Sequence, residues 1–207
     1  MRNAARLVTL AVLVAASISC GDVARSGSSP VYLVIDLLQG IRGGPNAAQP
    51  AGTLISDVIT NVTSPAPCST DTPCPTIFGD SGQVALRAPL KDIGTGVPLL
   101  PTSNNEVTIN RYHIEYIRAD GRNTPGVDVP FAFDGAATGT IPAGGTLTLG
   151  FELVRNAAKQ EAPLVQLRTS PNIITTIARV TFYGQDRTGN AVSVMGQIQV
   201  NFGNFGD

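Results

Sequence analysis

The residues of this chain that could do chemistry are few: three cysteines, one histidine, a scatter of loop carboxylates and two closely spaced tyrosines. Cys68 and Cys74 lie in "CSTDTPCP", with five residues between them in a stretch rich in Pro, Ser and Thr. In an exported chain two such cysteines pair and close a small loop, worth about 2.4 kcal/mol in the chain-entropy model. A redox pair would be spaced as CxxC, and half a zinc site would need further Cys or His to complete it. Pairing Cys68 with Cys74 leaves Cys20 over.

His113 stands in "RYHIEYIR", with Arg111 and Glu115 on the same side of an alternating segment. Nucleophilic catalysis would need a hydroxyl and a carboxylate brought to it. No G-x-S-x-G elbow is present, and a mid-strand position suits a histidine that decorates a sheet. Asp71, Asp80, Asp120, Asp128, Asp134 and Asp186 fall in or beside loops. Calcium takes six to eight oxygens, yet no D-x-D-x-D-G run occurs and "ADGRN" sets an arginine beside its carboxylate. Turn formation is the expected role of these residues, and no metal site is assigned. Tyr112 and Tyr116 share one side of the same segment. They form the single aromatic platform on which a sugar could stack, or they pack against a facing sheet. Trp, the usual stacking residue, is absent.

These groups are positioned by a chain whose 43% hydrophobic and 14% charged residues, 22 Gly and 15 Pro describe a turn-rich globular protein. From residue 30 onward the apolar period is two, the signature of half-buried strands. In "TLTLGFELV" Leu147, Leu149, Phe151 and Leu153 alternate with Thr146, Thr148, Gly150 and Glu152. In "VSVMGQIQVNF" Val192, Val194, Ile198, Val200 and Phe202 alternate with Ser193, Gln197, Gln199 and Asn201. Further strands are expected over 31–38, 53–62, 83–88, 106–118, 129–133 and 173–184. Eight strands separated by turn residues predict an all-β antiparallel sandwich as a single domain over 30–207. The one helical candidate, "RNAAKQEAP" at 155–163, is short and stopped by Pro163.

The first nineteen residues have another character. Arg2 and Arg6 precede "LVTLAVLVAASI", and small residues lead to Cys20, which is the layout of a secretory signal peptide. The apolar run is too short to span a bilayer, which needs about 20 residues. Without Arg2 and Arg6 the chain carries 12 basic against 15 acidic residues, and only two lysines, so nucleic-acid binding is not expected.

A cysteine directly after such a segment resembles the bacterial lipoprotein signal. The matching residues are "SISC", with Ser19 before the cut and Ser17 where that family most often has Leu. The resemblance implies that Cys20 becomes the first mature residue and carries lipid, with "GDVARSGSS" making 20–29 a tether. It implies a membrane partner through that lipid, no other cofactor, and an envelope location, with Gly21 after the cysteine favouring the outer membrane. Separately, "VTFYGQDRTGNAVSV" resembles the closing hairpin of many bacterial immunoglobulin-like domains, which implies an Ig-like sandwich. Two functions fit: a non-enzymatic envelope lipoprotein that binds or organises another envelope protein or glycan, and a carbohydrate-binding or hydrolytic sandwich at the same place.

Overall fold

A computed structural model describes residues 28–45, 49–91 and 100–206. The expected signal segment 1–19, Cys20 and the tether through residue 27 lie outside the described residues. The described chain is an all-β sandwich, with eleven strands where eight were expected. They are β1 (Val34–Ile41), β2 (Thr53–Asp57), β3 (Thr60–Val62), β4 (Cys74–Thr76), β5 (Asp80–Arg87), β6 (Val107–Ile117), β7 (Phe133–Gly135), β8 (Gly139–Ile141), β9 (Thr146–Val154), β10 (Ile174–Asp186) and β11 (Ala191–Gly203). The helical candidate forms a short 3-10 turn over Ala157–Gln160, followed by a second over Leu164–Thr169.

One sheet has the order β1-β5-β9; the other runs β2-β11-β10-β6-β7, with β8 also on β6; β3 and β4 form a small ribbon. All pairs are antiparallel except β2 with β11, where Thr53 to Asp57 run parallel to Gln199 to Gly203. This departs from the purely antiparallel expectation. No hairpin constrains these two strands, which lie at opposite ends of the domain sequence, so either direction is open to them.

Alternation builds the core. From β10 the side chains of Thr176, Ala178, Val180 and Phe182 point inward, and from β11 those of Ile198, Val200 and Phe202. Across the sandwich they meet Val84 and Leu86 of β5 and Phe151 and Leu153 of β9, all buried. Tyr112, Phe151 and Phe182 form the aromatic centre, with Tyr112–Phe151 and Phe151–Phe182 ring centroids each 5.2 Å apart in edge-to-face contact. Gly82 makes room for it: a Cβ there would lie 2.3 Å from Cζ of the Phe151 ring.

The β10–β11 hairpin is closed by one carboxylate. Asp186 Oδ1 accepts from the Thr188 and Asn190 backbone N–H groups at 2.9 Å each and from the Thr188 hydroxyl at 2.7 Å. Asn190 Nδ2 donates to Oδ2 at 3.0 Å. Gly189 takes φ +88°, which the turn requires and side-chain-bearing residues avoid. This is the turn chemistry expected of "GQDRTGN". The Ser29 hydroxyl also bonds this carboxylate, so the incoming chain is already buried at Ser29.

Burial acts to raise the Asp186 carboxyl, but the hydrogen bonds from Thr188, Asn190 and Ser29 outweigh it and hold the group well below the usual carboxylate range. A carboxyl lowered by folding stabilises the fold above its unfolded value, near pH 4, and loses that contribution as acid protonates it. Asp186→Ala is therefore expected to cost about 1–3 kcal/mol at pH 7. In urea denaturation the gap between variant and wild type narrows as the pH falls below about 4.

Candidate functional site

Strand β6 carries most of the residues singled out for chemistry, and a bulge decides where they point. Its inward residues are Val107 and Ile109, then Tyr112, Ile114 and Tyr116, because Asn110 and Arg111 both face outward. The pairing of β6 with β10 slips at the same place, between Tyr183 and Gly184. Past the slip the even-numbered residues face the core. Tyr112 and Tyr116 are 3% and 4% exposed.

The proposed ligand platform at Tyr112 and Tyr116 is therefore corrected: both rings belong to the core and none of their stacking face is open to a sugar. Each hydroxyl instead pins the facing sheet. Tyr116 donates to the Leu153 carbonyl at 2.6 Å, and Tyr112 accepts from the Glu152 N–H at 3.1 Å. Burial raises both phenols above their ordinary value.

His113 lies on the outward face, as expected, between Arg111 and Glu115. Its Nδ1 is 3.1 Å from Asp134 Oδ1, and Arg111 Nη1 is 3.5 Å from the same oxygen. The Arg111 guanidinium also lies 3.9 Å over the Tyr183 ring, so that aromatic face is occupied by a cation. Glu115 pairs with Arg179 at 3.1 Å. The result is a flat polar sheet face whose charges neutralise one another across β7, β6 and β10.

The loop carboxylates disperse instead of converging. Asp120 is gripped by Arg118 at 2.6 Å and by Arg122 at 3.2 Å, and the Arg118 hydrogen bond holds it far below the usual carboxylate range. Asp128 accepts from the Thr124 N–H at 3.3 Å, and Asp186 closes its hairpin. Among the described residues there is no group of three or more His, Cys, Asp or Glu that could hold a metal ion. Cys68 and Cys74 form a disulfide with Cα atoms 5.4 Å apart, at the end of the β3–β4 ribbon where Val62 pairs with Cys74.

One constellation escaped the sequence. Lys159 is 1% exposed, and its Nζ lies 2.8 Å from Asp80 Oδ2 and 2.7 Å from the Asp57 carbonyl oxygen. Asp80 also accepts from the Ser56 hydroxyl at 2.6 Å and from the Gly43 N–H at 2.9 Å. Beside it Asp57 pairs with Arg42 at 2.7 Å and accepts from the Ile59 and Phe205 N–H groups at 3.3 Å each. The available signal was slight: one of only two lysines, placed in a small-residue run, with a helical spacing that the chain does not use.

Removing one partner of a buried pair leaves an uncompensated charge, so Lys159→Met is expected to cost about 3–5 kcal/mol. Tyr116→Phe, which removes the buried donor to the Leu153 carbonyl, is expected to cost about 1–3 kcal/mol. Urea denaturation of the purified variants measures both, and a Tyr116→Phe protein as stable as wild type would contradict the role given to the hydroxyl. Compared with known proteins, the chain matches no family model and no curated protein.

Proposed function

We propose that this protein is a non-enzymatic lipoprotein of the bacterial envelope, anchored through Cys20, whose Ig-like sandwich binds or organises another envelope component. The observation that carries the reading is the disulfide. With Cys68 bonded to Cys74, no cysteine in the chain is left for Cys20, which stands at the end of the signal-like segment. Several acyl chains, each buried methylene worth about 0.8 kcal/mol, hold a protein on a membrane without a spanning helix. Among the described residues no helix is long and apolar enough to cross one.

The path of the chain supports a division of labour between the two ends of the sandwich. The polypeptide comes in at Ser29, against Asp186 and the β10–β11 turn. Strands β10 and β6 then carry the fold away from that end. The connections 42–52, 58–79, 118–132 and 155–173 all leave from the opposite end, because β1, β2, β6 and β9 finish there. An anchor at Cys20 would hold the first end towards the lipid and present the disulfide loop and the Arg118–Asp120–Arg122 turn away from it. A sugar-binding sandwich is the weaker reading, since Tyr112 and Tyr116 are core residues and Arg111 covers Tyr183.

Metabolic labelling with a fatty-acid analogue tests the anchor: label is expected on wild type and none on Cys20→Ala. Absence of label on wild type, or equal label on both, overturns it. Photo-crosslinking groups placed at Thr72 and Arg122 are expected to capture an envelope partner in living cells, whereas one at Arg187, beside the incoming chain, is not.

A further inference from the structure

The Lys159–Asp80 contact has an arrangement beyond that of an ion pair. The two side chains are 1% and 0% exposed, with amine and carboxylate 2.8 Å apart. The carboxylate is solvated unequally. Oδ1 meets one fixed backbone donor, the Gly43 N–H at 2.9 Å, while Oδ2 meets the amine and the Ser56 hydroxyl at 2.6 Å. A preset N–H suits an oxygen that gathers negative charge when its carbonyl carbon is attacked. A hydroxyl beside the other oxygen suits proton transfer to a leaving group.

Burial also works on the nucleophile. Desolvation lowers the Lys159 amine below its ordinary value, with Asp80 opposing, and so favours the neutral form that can attack. Holding amine and acid in contact removes the entropic cost of bringing them together. Exclusion of water protects an amide, once made, from hydrolysis.

We propose that Lys159 and Asp80 condense to an intramolecular isopeptide bond, joining the β9–β10 connection to the first residue of β5. The ammonium first passes a proton to Oδ2, leaving a neutral amine beside a neutral acid. Nζ attacks Cγ, and the carbonyl electron pair moves onto Oδ1 against the Gly43 N–H. A second proton passes from Nζ to Oδ2, where the Ser56 hydroxyl is hydrogen-bonded. The pair on Oδ1 re-forms the carbonyl, the Cγ–Oδ2 bond breaks with its electrons, and Oδ2 leaves as water. Nζ keeps one of its three hydrogens as the amide N–H. No oxidant, reductant or activating group is consumed.

Trypsin distinguishes the two states on the full chain, purified in its folded form and then reduced. Cleavage at arginine releases Asp80 within 43–87 and Lys159 within 156–168. With the bond made, Lys159 is blocked to trypsin, and mass spectrometry is expected to show 43–87 and 156–168 as one branched species, one water lighter than their sum. Lys159→Met is expected to return the two peptides separately. Linear 43–87 together with free 156–159 and 160–168 from the folded wild type overturns the proposal and leaves the pair ionic.

Discussion

An ammonium and a carboxylate that folding brings together without access to water are the most demanding feature of this sandwich. Desolvating an ammonium and a carboxylate costs several kcal/mol per ion, and only close geometry with further hydrogen bonds offsets it. Lys159 meets that demand by drawing three segments to its own. Asp80 brings the start of β5, Ser56 and Asp57 bring the end of β2, and Gly43 brings the chain leaving β1, while Lys159 belongs to the turn after β9. Arg168 adds the second 3-10 turn by donating to the Lys159 carbonyl at 2.9 Å. Asp57, through the Phe205 N–H, adds the C-terminal residues. One end of the sandwich is therefore closed by polar groups that have no alternative partners in water.

The other end is closed on a different principle. Asp186 has no lysine against it; it is held by hydroxyl, amide and backbone donors from its own turn and from Ser29. A carboxylate surrounded by neutral donors draws its stabilisation from hydrogen bonds to the charged form, so that end responds to acid directly. The Lys159 end is balanced internally by opposite charge. The two ends thus differ in construction: neutral donors around a carboxylate at the turn where the chain comes in, opposite charges in contact at the end where the long connections meet.

How much of this was visible in the sequence depends on the range of the interaction concerned. Strands β5, β6, β9, β10 and β11 showed themselves because a period of two is a local property. Strands β4 and β8, at three residues each, are too short to display a period. The disulfide was legible because six positions of separation already bring the two cysteines within reach. Tyr112 and Tyr116 were assigned a shared face correctly, but which face depended on the Asn110 bulge, and a single inserted residue inverts the parity of everything beyond it. The lysine site could not be found that way at all. Its members are scattered from Gly43 to Lys159, each of an ordinary type in ordinary surroundings, and only the closure of the β2–β11 parallel pair and the β9–β10 connection brings them together.

That convergence bears on how much freedom the long connections keep. The connections 58–79 and 155–173 are long, and connecting segments are more mobile than the elements they join unless something holds them. Here both are rooted at the same buried point, through Asp57 before one and Lys159 within the other, and the first is tied again by Cys68–Cys74. The Asn156 amide bridges them by donating to the Ile77 carbonyl. Loops fixed in this way lose little further freedom when they meet a partner, which keeps the entropic cost of binding low. At the end away from the incoming chain a buried amine–carboxylate contact and a disulfide thus tie down the long connections, which places rigidity where a partner would be met.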